Sequence, residues 1–303
     1  MPAHSLLLGC SLPFDYLAGD EILGVGARPW HEAFGSAGAC LDELRRAGIR
    51  SVELRAVGPD ADPARALHAA CRVWDAGMAL TVHGQLPRSV SGDTWAEVYP
   101  SLLPLAEALA ARGHESVVTV HCYSSDQGDV RTLAERTVRS LRGLLDAIER
   151  DAIPLRVALE NNHVGAHVDP GLTYDGVCDM VERASSSRIG TCWDLGHAYM
   201  NVQHGVDVSG PDVGFLRQVI HTHVHDLGPR THCALTHGVV PLDRYLDALI
   251  GEGYRGVLNL ELSPERFAGA VKESVRASID RLVDYGRRRR RYLLPSAQRG
   301  PRL

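Results

Sequence analysis

Short apolar runs alternate with longer amphipathic stretches along the whole chain. The runs at residues 6–10, 50–54, 79–83, 116–121, 155–160, 188–194, 219–223 and 256–262 are continuous or nearly so and rich in Val, Leu and Ile. That is the pattern of strands buried on both faces. The stretches between them carry helix signals. Asp62-Pro63 supplies an N-cap and an N1 proline for a helix continuing to Gly77, and Leu41 begins a pattern that Gly48 stops. Leu133, Val138, Leu141, Leu145 and Ile148 form one apolar stripe within residues 131–150. Residues 241–250 and 264–285 read as the last two helices.

Eight strand–helix alternations imply a parallel sheet with right-handed crossovers, and the length suits closure into a single-domain (β/α)8 TIM barrel. We place that barrel over residues 1–286 and assign residues 287–303, which open with the arginine run 287–291, to a basic C-terminal tail. A doubly wound open sheet would want a glycine-rich phosphate turn after the first strand, and Gly9-Cys10-Ser11-Leu12 is not one. The connection at 11–34 is long and carries Phe14, Tyr16, Trp30 and Phe34. It reads either as a lid over the barrel mouth or as a contact in a homo-oligomer.

Composition narrows the partners. The 303 residues are 45% hydrophobic and 23% charged, ample for one large core, and a net charge of −5 argues against nucleic acid or an anionic membrane. Leu6-Leu7-Leu8 is too short for a signal-peptide core, and no apolar stretch approaches the roughly 18 residues of a membrane span. Seven cysteines without a C-x-x-C pair point to reduced thiols and a cytoplasmic setting. A small-molecule substrate is the expected partner.

In parallel barrels the chemistry gathers where the strands end. The predicted strands end at or near Glu53, His83, His121, Glu160, Asp194, His223 and Glu261, with His197 three residues beyond Asp194. Glu160, Asp194, His223 and Glu261 are spaced by 34, 29 and 38 positions, about one strand–helix unit per step, and so project from adjacent strands into one space. Three converging carboxylates would raise one another's pKa unless a cation neutralised them. Three carboxylates and one imidazole suit a divalent metal, with Mn, Co, Mg, Fe and Zn all compatible.

These residues also carry a resemblance. Leu159-Glu160-Asn161-Asn162, Cys192-Trp193-Asp194-Leu195-Gly196-His197, His221-Thr222-His223-Val224-His225-Asp226 and Leu260-Glu261 resemble the xylose isomerase-like TIM-barrel superfamily. That group includes sugar isomerases and epimerases, inosose and dehydroshikimate dehydratases, and the endonuclease IV family. The resemblance implies that Glu160, Asp194, His223 and Glu261 bind the common metal. It further implies that Glu160 and Glu261 act as the acid/base pair of an isomerase or epimerase of a small sugar, sugar phosphate or cyclitol-like ketone, through a metal-stabilised enediolate. His197 would contact a substrate oxygen. Arg230 reads either as a second substrate contact or as a surface arginine.

His83, His121, His197 and His232 match positions that hold a second or third metal in multinuclear relatives. The alternative is therefore an endonuclease IV-like phosphodiester hydrolase or an iron-dependent oxidase. Arg230 stands where the hydrolase motif would need an aspartate, which weakens that reading. A Schiff-base aldolase is set aside because the only lysine, Lys272, lies on the final predicted helix. Cys122 follows His121 directly and so points to the opposite face of its strand.

Overall fold

The computed structural model describes residues 7–19, 23–87, 94–208, 210–228, 230–267 and 270–293. Eight parallel strands close in sequence order into one barrel, each paired with the next and the eighth with the first. They are β1 (Leu7–Pro13), β2 (Ser51–Val57), β3 (Ala79–Gly84), β4 (Ser116–His121), β5 (Leu155–Glu160), β6 (Ile189–Asp194), β7 (Val219–Val224) and β8 (Val257–Leu260). All eight expected strands are present, with ends shifted by a few residues. The helix ends follow the local signals. Asp62 accepts a hydrogen bond from the Arg65 N–H at the start of Pro63–Asp75, and Gly48 closes Ala37–Ala47 in the left-handed conformation.

Strand alternation sorts the side chains. Val82, Val118, Val120, Val157, Leu159, Trp193, Leu258 and Leu260 are buried on the outward face, beneath the helices. Trp193 packs there against Tyr174, Phe215 and Tyr245. Burying one such side chain contributes roughly 1.5–3 kcal/mol, so this layer is the stable frame on which the lumen is built. The alternate positions are largely polar or small: Ser11, Glu53, Thr81, His83, Thr119, Glu160, Cys192, Asp194, His221, His223 and Asn259 are all buried. Register sets them at matching heights, with Ser11 opposite Glu53, His121 opposite Glu160 and Asp194 opposite His223.

Two expectations are corrected. The segment 11–34 is not an open loop. β1 continues to Pro13, and helices Phe14–Ala18 and Arg28–Phe34 follow, with residues 20–22 outside the described set. Phe14, Tyr16, Trp30 and Phe34 are buried, Trp30 stacks on Phe34, and the Tyr16 hydroxyl donates to the Gly35 carbonyl. These aromatics are core, because a pattern too irregular for one helix here makes two short ones. The arginine run does not begin a tail either. The last helix spans Val271–Leu293, and Arg287, Arg288 and Arg289 pair with Asp284, Asp243 and Asp247. Arg287 pairs one turn back along its own helix, while Arg288 and Arg289 reach across to the helix Leu242–Gly251. Residues 294–303 lie outside the described set. Among the described residues no helix is long and apolar enough to cross a membrane.

Candidate metal centre

At the C-terminal end of the barrel His223 stands between two glutamates. Its Nδ1 lies 2.9 Å from Glu160 Oε1 and 3.1 Å from Glu261 Oε2. His83 Nε2 approaches Glu160 Oε2 at 3.2 Å, and His121 Nε2 approaches the same oxygen at 3.5 Å. His83, Glu160, His223 and Glu261 are all buried, and their ligand atoms lie within 4.8 Å of one another. Among the described residues Glu160 Oε2 and Glu261 Oε2 are buried without a well-aligned hydrogen bond, each with only imidazole nitrogens for company, the nearest at 3.2 and 3.1 Å. Two orphaned carboxylate oxygens beside imidazoles form a donor set that a divalent cation would satisfy.

Asp194 belongs to a neighbouring group with His197, His225 and His232, again within 4.8 Å. It caps the helix Leu195–Gln203 by accepting the His197 N–H at 2.6 Å. Asn161 clasps the same turn, accepting from the Asp194 N–H and donating to the Asp194 carbonyl. His225 Nε2 lies 3.0 Å from Asp194 Oδ1, while the His232 N–H donates to His225 Nδ1 at 3.0 Å. The ring is thus held between Asp194 on its Nε2 side and both the His232 N–H and the Asp226 carbonyl on its Nδ1 side. His232 reaches this position with a left-handed backbone, φ 60°, a conformation that costs a non-glycine residue about 1–3 kcal/mol. The two groups adjoin, because His197 Nδ1 lies 3.6 Å from both Glu160 Oε1 and Asp194 Oδ2.

The expected residues are therefore together, with one change of grouping. Glu160, His223 and Glu261 share a donor group with His83, and Asp194 faces the histidines next to it. His232 Nε2 lies 3.5 Å from Glu261 Oε2, linking the groups on the far side. Arg230 is exposed. Arg266 instead reaches the rim, donating to the Thr231 carbonyl and hydroxyl at 2.9 Å. Sequence reasoning also gave no role to Glu53, His221 or Asn259. The usable signal was spacing by two: His221, His223 and His225 share one strand face, as do Asn259 and Glu261. Cys122 turns away from His121, with its sulfur 3.9 Å from Met180, and burial raises its pKa well above the ordinary thiol value.

The electrostatics follow from this packing. Burial works to raise the pKa of Glu160, but His121 and His223 outweigh it and hold the carboxyl well below its ordinary value. Burial likewise opposes ionisation of Glu261, and His223 and His232 overcome it. Burial lowers His83, yet the hydrogen-bonding and charge of Glu160 raise it to about 9. His197 is dominated by burial and falls to about 3, so it is neutral. Imidazolium charge thus balances the glutamates when no metal is bound. The His83 contribution to stability is complete below pH 6.5 and is lost as pH rises through about 9. Metal-free protein should lose urea resistance across that window, and a flat profile there would contradict the charge assignment.

Gly196 has a specific task. A Cβ at this position would lie 2.0 Å from His225 Cε1 and 2.3 Å from Nδ1. Alanine normally favours a helix over glycine by about 0.8–1 kcal/mol. Gly196→Ala is nevertheless expected to destabilise the protein by roughly 1–3 kcal/mol, since the ring must leave Asp194. Urea denaturation showing a gain in stability would contradict this packing.

The chain belongs to the family described as xylose isomerase-like TIM barrel, which its sequence matches over residues 41–285. Among solved structures it is similar to a D-tagatose 3-epimerase-like protein, with 17% identity, TM-score 0.64, and coverage of 95% of this chain and 100% of that one. A D-allulose 3-epimerase from Methylomonas sp. in complex with D-allulose shows 15% identity, TM-score 0.62, and coverage of 93% and 97%. The IolI protein with a bound zinc atom shows 15% identity, TM-score 0.58, and coverage of 93% and 99%. A search of curated proteins finds no match.

Proposed function

We propose that this protein is a metal-dependent isomerase or epimerase of a small polyhydroxylated ketone. The observation that carries the reading is the pair of buried glutamates, Glu160 and Glu261, reaching one imidazole nitrogen from two sides at 2.9 and 3.1 Å. Glu160, His223 and Glu261 would hold a divalent cation, with His83 or the adjoining Asp194 completing the set. When bound, that cation would supply positive charge for the substrate oxygen that becomes negative as the neighbouring carbon loses its proton. One of the two glutamates takes that proton on its carboxylate and the other returns one on the opposite face. His197, neutral and with a buried Nε2 that lacks a partner among the described residues, would accept a hydrogen bond from a substrate hydroxyl. The similar solved structures of a D-tagatose 3-epimerase-like protein and a D-allulose 3-epimerase agree with this substrate class.

The test is solvent-deuterium incorporation. Metal-loaded protein incubated in D2O with ketohexoses, ketopentoses and an inosose should place deuterium at the carbon beside the carbonyl of at least one. No exchange into any of them would overturn the reading. A second reading, a multinuclear hydrolase or iron-dependent oxidase, draws on the adjoining group of Asp194, His197, His225 and His232. It predicts two or more metals per chain, whereas the isomerase reading predicts one.

A further inference from the structure

Glu53 is fully buried within the barrel, and the proton-transfer scheme above makes no use of it. Its Oε1 accepts from the Ser11 hydroxyl at 2.6 Å and from the Asn259 amide at 3.0 Å. Its Oε2 lies 3.0 Å from His221 Nε2, and His223 Nε2 sits between the two oxygens, 3.1 Å from Oε2 and 3.0 Å from Oε1. Four groups from three strands, β1, β7 and β8, thus converge on one carboxylate. Ionised, a carboxylate is an acceptor only, so each imidazole must offer it an N–H. We propose that Glu53 is a positioning residue that fixes the tautomer of His223, keeping the proton on Nε2 so that the Nδ1 lone pair faces Glu160 and Glu261.

The inference rests on the metal-site reading given above and adds what makes His223 a competent ligand. An imidazole can bind a cation only through an unprotonated nitrogen, and the group on its other nitrogen decides which one that is. Glu53 also holds the ring in place, because the hydrogen bond to Nε2 lies across the imidazole from the donor group. His221 shares the same oxygen and fixes the carboxylate in turn. Ser11 and Asn259 donate to Oε1, so the carboxylate is held at both of its oxygens.

Glu53→Gln tests this with almost no change of shape. The amide would keep its oxygen toward Ser11 and Asn259 and turn its NH2 toward the two histidines. His223 Nε2, which lies 3.0 Å from Oε1 and 3.1 Å from Oε2, then meets an N–H in place of one of its two acceptors, and the balance shifts toward a proton on Nδ1, in the metal site. Zinc affinity, measured by competition with a chelating dye, should fall about 10–100-fold, the usual effect of losing such a partner. In zinc-loaded wild-type protein, long-range proton–nitrogen NMR of the histidine rings should show His223 protonated at Nε2 and metal-bound at Nδ1. The wild-type spectrum needs no variant to fold. If zinc sits on Nε2, or if Glu53→Gln binds zinc as tightly as wild type, the role of Glu53 is overturned while the metal site stands. If wild-type protein binds no zinc, the metal-site reading itself falls and the inference falls with it.

Discussion

Glu261→Gln and Glu160→Gln are each expected to lower solvent-deuterium exchange into a turned-over ketone by about 10³-fold or more. Loss of general acid–base catalysis alone is worth about 10²–10⁴ in rate. Each substitution also removes a charged donor from the pair that flanks His223 Nδ1. The two effects can be separated. With metal held at saturation, an isosteric amide that still permits binding should leave substrate affinity nearly intact and depress turnover. Exchange that continues at the wild-type rate in both variants would remove the glutamates from the chemistry. Loss in one variant only would assign the proton to that residue and deny the other a share in the exchange.

The second large effect concerns metal removal. Without a cation, buried Glu160 and Glu261 depend on the charges of His83 and His223, whose pKa values their carboxylates raise, for compensation. A ligand present at a thousand times its dissociation constant stabilises the folded state by about 4 kcal/mol. For a chain of 303 residues that corresponds to a rise in Tm of roughly 6 °C. The chelated protein should therefore melt that much lower than protein with excess Mn²⁺, Co²⁺ or Zn²⁺, and re-addition should restore the difference. The shift should be absent in His223→Gln. A Tm unmoved by every metal in wild-type protein would leave the donor group with a structural role alone.

The barrel was legible because its signal is repeated eight times and each strand is bounded by a helix stop or start. Glu160, Asp194, His223 and Glu261 were legible for the same reason: each closes or follows a strand, one unit apart. What failed was local. Residues 14–34 hold two helices too short to show a periodicity, and their aromatics look like a loop's until tertiary contact buries them. The arginine run looked like a tail because the partners of Arg288 and Arg289, Asp243 and Asp247, sit on a different helix.

The finer arrangement of the site depends on distances between strands that spacing cannot give. Nothing in the order of residues says that Asp194 would face His225, or that Gly196 is small because a ring passes above it. Glu53 was visible as a strand end, but its link to His223 crosses the barrel from β2 to β7 and spans 170 positions in sequence. A prediction from strand ends finds which residues share a mouth. It does not find which nitrogen of a histidine carries the proton.

The most direct test of this account is the metal content of protein purified without a chelator, measured by elemental analysis alongside His223→Gln and Glu261→Gln. The account predicts one divalent cation per wild-type chain and a large loss in both variants. Wild-type protein that binds no metal even after dialysis against excess Mn²⁺, Co²⁺ and Zn²⁺, or variants that retain the full complement, would contradict it.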